Sequence, residues 1–371
     1  MGWRWKVGRR VLAMAGHPPT PPTDLLPTDL AVIASRVEAR VGRLLAHERE
    51  RWSTLDQSLA EPIEALTGLV MAGGKRLRPA FCHWGFVGAG GDPDDPAVTD
   101  AGAALEMLQG FALIHDDVMD GSTVRRGAAA VHRSFVERHE EAAWSGEARR
   151  FGEGAAILIG DLALVYADRL LPDGPTGLKG LWDELRVELN VGQYLDLVGT
   201  VTRRTDRANA HLIARYKSGK YTIERPLHLG AVLAGRSDLV DPLSRYGDPL
   251  GEAFQLRDDV LGVFGDSART GKPVGDDLRE GKPTLLLAVA DERADAAQRR
   301  LLDQVGDPRL PPATVAGLHQ VLVDTGAVAE VEAEIAALAA RATGALAAIE
   351  IAEHAKVALR ELAAFVVARD A

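Results

Sequence analysis

Apolar residues recur at helical spacing along almost the whole chain. The first clear stretch places six of them on one face of a helix, at Ala31, Ile33, Val37, Val41, Leu44 and Leu45. Similar spacing predicts helices over residues 55–70, 78–87, 97–119, 152–171, 178–198, 207–216, 223–234, 239–263, 284–290, 298–305, 313–325 and 328–367. Turn-forming clusters separate many of them, at 88–95, 172–177, 265–281 and 306–312. Because no alternating strand pattern competes, the chain is predicted to be all-α.

Length and composition favour one large domain. The 371 residues would allow one large domain or two ordinary ones, and no obvious linker divides the middle of the chain. With 46% hydrophobic and 26% charged residues, the composition matches a soluble globular protein with a sizeable core. We therefore expect residues 28–371 to form a single all-helical domain.

The first 27 residues differ from the rest. They combine Trp3, Trp5, four basic residues and a Pro-rich stretch, and their apolar segment is too short for a secretory signal. We interpret residues 1–27 as a flexible basic and Pro-rich leader. Contact with a membrane surface, a mis-assigned upstream start and a simple tail stay open as explanations.

Charge and cysteine content narrow the function classes. A formal net charge of -10 argues against general nucleic-acid binding, which needs a dominant basic surface. Cys82 is the only cysteine, which excludes an internal disulfide and a cysteine-cluster metal site and fits a reducing cytoplasm. No run approaches the roughly 18 consecutive apolar residues of a membrane span, so integral membrane association is not expected.

A first acidic motif, DDVMD, runs from Asp116 to Asp120. On a helix these two end residues project from one face about one turn apart, where their carboxylates repel. A divalent cation relieves that repulsion, and hard oxygen ligands that leave places for substrate phosphate suit Mg²⁺. A solvated acidic helix surface is the alternative for one such motif alone. The strongly apolar helix before the motif favours a site at the edge of a cavity.

A second acidic motif, DDVLG, begins with Asp258 and Asp259 after another apolar helix. Two such sites in one helical chain suggest two facing walls of a cavity. Gly262 ends this motif where a third carboxylate would match the first, so the second motif is expected to offer one ligand fewer.

Basic residues cluster in GGKRLRP at 73–79 and VRRG at 124–127. Arginine forks grip diphosphate oxygens bidentately, and lysine adds a compact charge. Each stretch alone would fit ordinary surface charge. GKP occurs at 271–273 and again at 281–283, but proline follows the lysine where a P-loop has Ser or Thr.

Together these stretches resemble the trans-isoprenyl diphosphate synthases, the polyprenyl synthetase family, from about residue 55 to residue 287. Six segments occur in the family's order: GGKRLRP, LIHDDVMDGSTVRRG, GQYLDL, Lys217-Ser218, FQLRDDVLGVFGD and GKPVGDDLREGKPT. The resemblance implies antiparallel helices around a deep central cavity and a homodimer. It implies 1'-4 head-to-tail condensation of an allylic diphosphate (dimethylallyl, geranyl or farnesyl) with isopentenyl diphosphate.

The resemblance also assigns roles residue by residue. About three Mg²⁺ would be held by Asp116, Asp120 and Asp258, supported by Asp117 and Asp259. The allylic diphosphate would be bound by Arg125, Lys217 and Lys272, with Ser218 and Gln255 nearby. Isopentenyl diphosphate would be bound by Gly74, Lys75, Arg78, Gln109 and Arg126. Lys282 would help to close the site, and Ser218 keeps the hydroxyl of the threonine that is common in the family.

Product length is expected to depend on residues one helical turn or more before Asp116, where the growing chain would descend into an apolar tunnel. Phe111, five positions earlier, with Ala112 beside it, is predicted to form the floor and to limit products to 15 to 20 carbons. An ordinary core phenylalanine is the alternative. The first motif lacks the two-residue insertion of many bacterial farnesyl-forming enzymes, which leaves the product assignment open.

Two competing functions fit less well. A class I terpene cyclase would also use an aspartate-rich motif with Mg²⁺, but its Asn/Ser/Glu second motif is absent and GGKRLRP would have no purpose. A regulatory subunit of a heteromeric synthase would commonly lose metal-binding aspartates, whereas both motifs here are intact.

Overall fold

The computed structural model describes residues 27, 29–203, 206–265 and 275–368. Contacts divide the chain into two compact units: residues 29–179 with 226–237 form the first unit, and residues 180–225 with those from 238 onward form the second. The predicted leader lies outside the described residues, apart from Pro27. The expectation of a single domain from residue 28 onward stays a prediction.

The first unit is helical apart from a two-residue β-ladder. Its elements are α1 Leu30–Ser53, a 3₁₀ turn Gln57–Leu59, α2 Ala60–Met71, α3 Leu77–Gly88, α4 Pro96–Asp120, β1 Val124–Arg125, β2 Ala128–Ala129, α5 Val131–Glu141 and α6 Ala148–Leu170. The strands β1 and β2 pair antiparallel, with Arg125 opposite Ala128.

Helix α4 forms the core of the first unit and carries the first acidic motif at its end. It begins with Pro96, after Asp95, whose side chain accepts a hydrogen bond from the backbone N–H of Ala97. It ends at Gly121, whose φ of 67° is in the left-handed region that glycine adopts without strain. Its fully buried large side chains include Leu105, Met107, Leu108 and Ile114. Helices α3 and α6 pack along its sides, so the motif emerges from a tightly held helix.

Two glycines bring α3 close to α9, which spans Arg225–Leu233. A Cβ at Gly85 would lie 2.3 Å from the carbonyl oxygen of Leu227, and one at Gly230 would lie 2.0 Å from that of Cys82. Backbone therefore packs on backbone here. Burial raises the pKa of the Cys82 thiol to about 12, as expected of an inert core cysteine.

The second unit continues the helical pattern. Its elements are α7 Leu178–Thr202, α8 Arg207–Ile213, a π-helix Ala214–Glu224, a 3₁₀ turn Ser237–Leu239, α10 Val240–Phe264, α11 Asp276–Glu280, α12 Leu285–Arg293, α13 Ala296–Leu302, α14 Pro312–Asp324, α15 Ala327–Leu346 and α16 Glu353–Ala368. Helices α7 and α9 begin close to the boundaries between the units.

Helix α10 is the centre of the second unit and carries the second acidic motif. It packs against the π-helix and α15. Next to the motif, the buried guanidinium of Arg257 donates two hydrogen bonds, 2.6 and 2.7 Å long, to the carboxylate of Glu332 on α15. Breaking such a buried pair by removing one partner costs about 3–5 kcal/mol, which fixes this end of α10 against its neighbour.

The all-α prediction is confirmed, and several local features differ from the predicted elements. Helix α11 lies within residues 265–281, which were predicted to form a turn. Helix α5 was not predicted, because few apolar residues stand among its charges. The predicted helix 328–367 is interrupted at 347–352, where the Ala-rich sequence gives no break signal. The stretch between the predicted helices 207–216 and 223–234 is π-helical rather than a gap. The β1–β2 hairpin is too short to leave an alternating pattern.

Candidate active site

The first acidic motif occupies the last turn of α4. Asp117 is 1% exposed, whereas Asp116 and Asp120 are partly exposed. A buried carboxylate requires compensating hydrogen bonds or charge. The structure therefore gives the second aspartate of the motif a different environment from the first and last.

Arg125 supplies that compensation from the β1–β2 hairpin. Its Nε donates to Oδ1 of Asp117 at 2.8 Å, its Nη2 donates to Oδ2 of Asp116 at 3.1 Å, and Nη2 also contacts Asp117. Burial alone would lower the pKa of Arg125, but Asp117, and after it Asp116 and Asp120, raise that pKa above its ordinary value. One guanidinium thus contacts two carboxylates of the motif.

The structure brings together some of the residues that are predicted to bind isopentenyl diphosphate. Gly74 has a φ of 137°, and a Cβ there would lie 3.2 Å from Nη2 of Arg126, so glycine leaves room for that guanidinium. Arg126 donates to the carbonyl oxygen of Leu69 at 3.0 Å. Arg126 also lines a small pocket with Gln109. Lys75 and Arg78 are partly exposed nearby in sequence, and neither lines that pocket.

The arginines of this region repel one another. Burial lowers the pKa of Arg126, and the charges of Arg76, Arg125 and Arg78 lower it further, against a raising contribution from Glu106. A bound anion would relieve this repulsion. The cluster therefore suits a phosphate-bearing ligand.

Sequence reasoning missed the structural role of Arg76, which stands between Lys75 and Leu77. Arg76 is 3% exposed, has a φ of 47°, donates to Oε1 of Glu38 at 3.0 Å and to the carbonyl oxygen of Val70 at 2.7 Å, and contacts Glu106. Glu106, a charged residue inside an apolar stretch, was the available signal, because a buried carboxylate needs a cationic partner.

The second acidic motif ends α10. Asp258 is exposed, whereas Asp259 is 9% exposed and accepts a hydrogen bond of 2.7 Å from the amide of Gln255. Burial raises the pKa of Asp259 to about 8, and the charges of Asp277 and Asp258 raise it against the lowering effect of Gln255 and Lys282. The buried carboxyl of Asp259 therefore favours its protonated form near neutral pH.

The structure explains the missing third carboxylate at Gly262. A Cβ at this position would lie 1.8 Å from Oδ2 of Asp277, so the carboxylate of Asp277 already occupies the space. Lys282 lies 3.3 Å from Asp277 and 2.8 Å from Glu280. Asp277 lies in the GKPVGDDLREGKPT segment, where sequence reasoning did not single it out. Its proximity to Gly262 depends on the packing of α11 on α10.

Lys217 lies in the π-helix, a form found frequently at functional sites. Its Nζ donates to Oδ2 of Asp196, in the GQYLDL segment, at 2.6 Å. A Cβ at Gly192 would lie 2.2 Å from the backbone nitrogen of Lys217, so glycine allows α7 to approach this backbone. Ser218 is partly buried beside it. Asp196, which orients Lys217, is a site residue that sequence reasoning did not single out.

The structure leaves two of the predicted groups of residues untested. Lys272 lies outside the described residues, so its role stays a prediction. Phe111 is 9% exposed and its ring contacts that of His115, with centroids 4.7 Å apart, while Ala112 is partly buried. The assignment of these residues to product length also stays a prediction.

The carboxylates of both motifs fit Mg²⁺ by their chemistry. This ion usually takes one or two protein carboxylates and completes its shell with water and substrate phosphate. Asp116, Asp120 and Asp258 are accessible enough to offer oxygens. Burial and the charges of Asp277 and Asp258 disfavour the ionised form of Asp259, and a divalent cation would favour that form.

A third acidic group, separate from both motifs, is best explained as a structural tie. Among the described residues, the only three candidate ligands found within 4.8 Å of one another are His211, Glu252 and Glu334. Nδ1 of His211 is 2.6 Å from Glu252 and Nε2 is 3.7 Å from Glu334. The hydrogen bond to Glu252 raises the pKa of His211 despite its burial. Both ring nitrogens thus face carboxylates, which suits an imidazolium joining α8, α10 and α15.

Comparisons with known proteins agree with this arrangement. Residues 57–316 match the family model described as polyprenyl synthetase. The short chain isoprenyl diphosphate synthase of Methanothermobacter thermautotrophicus is 34% identical over 72% of this chain and 79% of its own length. The nonaprenyl diphosphate synthase of Mycobacterium tuberculosis is 36% identical over 76% of this chain and 80% of its own.

Among solved structures, the geranylgeranyl pyrophosphate synthase of Corynebacterium glutamicum, complexed with isoprenyl diphosphate and magnesium, is similar to this chain with a TM-score of 0.87. The two are 36% identical, and the alignment covers 91% of this chain and 99% of that one.

Proposed function

The chain belongs to the polyprenyl synthetase family, and we propose that it condenses an allylic diphosphate with isopentenyl diphosphate head-to-tail. The 1'-4 bond forms as diphosphate leaves, and the product is an all-trans prenyl diphosphate of 15 to 20 carbons, farnesyl or geranylgeranyl diphosphate. The chain is thus an Mg²⁺-dependent short-chain prenyltransferase of isoprenoid biosynthesis. Dimethylallyl, geranyl and farnesyl diphosphates are the proposed allylic primers.

The aspartates are the proposed Mg²⁺ ligands. Asp116, Asp120 and Asp258 would coordinate about three ions per site, with Asp117 and Asp259 supporting the ligands or their waters. Bound Mg²⁺ would supply electrostatic stabilisation of the charge that develops on the departing diphosphate. Arg125 supports this role, because its guanidinium donates hydrogen bonds to Asp116 and Asp117 and orients their carboxylates.

The basic residues divide between the two substrates. Arg125, Lys217 and Lys272, with Ser218 and Gln255 beside them, would bind the allylic diphosphate. Gly74, Lys75, Arg78, Gln109 and Arg126 would bind isopentenyl diphosphate, and Lys282 would help to close the site over both.

The reaction then follows from what these residues do. Arg125 and Lys217 neutralise the leaving diphosphate as the allylic C1–O bond breaks and an allylic cation forms. Arg126 and its neighbours hold the isopentenyl double bond within attacking distance, so that an intermolecular encounter becomes an intramolecular one. The double bond attacks the cation, and loss of a proton, for which the released diphosphate is the proposed acceptor, restores the alkene.

The single observation that carries this proposal is the division of labour between adjacent arginines. Arg125 turns to the aspartates of the first motif, whereas Arg126 turns to the carbonyl oxygen of Leu69 beside Gly74 and Gln109. A cyclase, which ionises one diphosphate, has no use for the second cationic site. A two-substrate condensation uses both.

The test is incubation of the purified protein with Mg²⁺, isopentenyl diphosphate and, separately, dimethylallyl, geranyl or farnesyl diphosphate, followed by analysis of product chain length. Elongation to 15 to 20 carbons is expected. Failure with every primer, or a cyclic hydrocarbon from a primer alone, would contradict the proposal.

We also propose that the protein is a homodimer. Helix α6 exposes Ile157, Leu158 and Val165 at helical spacing. Helix α7 exposes a second apolar row, Val187, Val191, Tyr194 and Val201. Exposed apolar side chains on these helices support burial against a second copy of the chain. Sedimentation equilibrium should give twice the mass of one chain, and a monomer at micromolar concentration would refute the dimer.

A cytoplasmic, non-membrane location completes the proposal. Among the described residues, α4 is long and apolar enough to span a membrane, but 61% of its apolar window is buried inside the protein. It is therefore the core helix that carries the first motif. The lone, buried Cys82 supports a reducing compartment.

A further inference from the structure

The predicted floor residue Phe111 has an aromatic neighbour that sequence reasoning did not consider. His115 lies one turn later on α4, directly before Asp116, and its ring meets that of Phe111 at a centroid distance of 4.7 Å and an angle of 63°. Residues four apart share a helix face. The imidazole therefore lies on the same helix face as the predicted floor residue, one position before the first aspartate.

Helix α6 holds this imidazole in place. Nε2 of His115 lies 3.0 Å from the carbonyl oxygen of Ile157. A carbonyl oxygen only accepts, so Nε2 carries the hydrogen and donates it. The hydrogen bond ties the side chain of α4 to the backbone of α6, next to the predicted metal-binding residue Asp116.

Gly160 makes this arrangement possible. A Cβ at Gly160 would lie 2.3 Å from Nε2 and 2.4 Å from Cδ2 of His115, closer than real side chains approach. Gly160 is buried in the middle of α6, where glycine otherwise weakens a helix. The imidazole can approach α6 this closely because Gly160 has no side chain.

We propose that Gly160 is a specificity-determining residue: it sets product length by giving His115 a place against α6, from which the imidazole fixes the ring of Phe111. The inference rests on the proposed prenyl elongation. A methyl group at position 160 drives the imidazole away from α6, towards Phe111 and into the path of the growing chain. Loss of the imidazole instead leaves the Phe111 ring unsupported and lets longer chains pass.

The test compares product distributions from one primer under identical conditions. Gly160→Ala should shift the main product down by one five-carbon unit, with the ratio of shorter to longer product rising about tenfold. Gly154→Ala is the matched control, because Gly154 lies on the same helix and a Cβ there would meet nothing within 4 Å. That control should give the wild-type distribution.

A double-mutant cycle keeps the inference falsifiable even if Gly160→Ala folds poorly. His115→Ala should raise the share of longer products, and adding Gly160→Ala to it should change nothing further, because the clashing ring is gone. An equal shortening by Gly160→Ala with and without His115, or a wild-type distribution from either single variant, would overturn the inference. A wild-type protein that elongates no primer would instead refute the proposed function.

Discussion

Asp117 and Asp259 hold the same place in their motifs, the second aspartate of DDV, and both are buried. Asp117 accepts hydrogen bonds from the guanidinium of Arg125. Asp259 has a neutral amide donor, Gln255, and the neighbouring charge with the largest effect on its pKa is Asp277. The buried aspartate of the first motif therefore has a cationic protein partner. Burial and the nearby carboxylates raise the pKa of the buried aspartate of the second motif to about 8.

The two motifs therefore share the residues DDV but differ in their electrostatic environment. The guanidinium of Arg125 is a cationic partner inside the first motif. At the second motif, Lys282 offsets only part of the effect of burial and of the neighbouring carboxylates, so Asp259 keeps a raised pKa. A divalent cation would favour the ionised form of Asp259, so Mg²⁺ binding at the second motif should be coupled to proton release.

The largest expected effect tests whether both motifs serve the reaction. Asp120→Asn and Asp258→Asn, one from each motif, should each lower turnover about 10³-fold, equivalent to about 4 kcal/mol, because each removes an oxygen ligand from the charge-stabilising site. Steady-state elongation assays measure this. Asp324→Asn, at an exposed position of α14, is the control. Wild-type turnover in either motif variant would show that its motif does not serve the reaction.

Removing the arginine should make the first motif behave like the second. Arg125→Ala leaves Asp117 buried without its cation, so we expect a loss of about 3–5 kcal/mol in the free energy of unfolding and an about 10²-fold loss of turnover. Chemical denaturation and elongation assays report the two effects. Arg133→Ala removes a surface arginine paired with Glu137 and should change little. Unchanged stability in Arg125→Ala would show that the arginine does not balance the motif.

Filling the space at Gly262 tests how Asp277 packs against the second motif. Gly262→Ala places a methyl group against the carboxylate of Asp277 and should cost about 1–3 kcal/mol of stability by overpacking. Gly344→Ala, within α15, meets nothing within 4 Å and should be neutral or stabilising. Thermal unfolding compares the two, and equal stability would contradict the position of Asp277.

A pH slope of stability in the metal-free protein tests the environment of Asp259. The pKa of Asp259 is raised from 3.8 to about 8, so the folded protein binds a proton that the unfolded chain releases in this range. Stability from this group is complete below pH 3.8 and is lost as pH rises towards 8, with a slope of at most about 1.4 kcal/mol per pH unit. Denaturation between pH 5 and about 8 should show this fall, and Asp259→Asn should flatten it. An identical slope in the variant would refute the assignment.

The main helices and part of the candidate site could be predicted from local features of the sequence. Long apolar periodicity predicted α4 and α10, and the acidic runs at their ends marked the emergence of buried helices. The doublet Arg125 and Arg126 signalled anion binding. These signals are local, because charge and periodicity can be seen within one helix.

The rest depended on contacts between segments distant in sequence. Nothing local separates Arg76, which is buried against Glu106, from its basic neighbours. The space that Asp277 takes from Gly262, and the room that Gly160 gives His115, arise only when helices pack. The separate environments of Asp117 and Asp259 follow from their neighbours in the fold rather than from DDV itself.

We propose that both aspartate motifs hold the divalent ions that act on a diphosphate. Anomalous diffraction from crystals grown with Mn²⁺ and an unreactive allylic thiodiphosphate tests this metal binding. We predict about three Mn²⁺ peaks, coordinated by Asp116 and Asp120 and by Asp258, each also touching the ligand's oxygens. Peaks that avoid either motif, or a diphosphate bound without metal at those aspartates, would contradict the account.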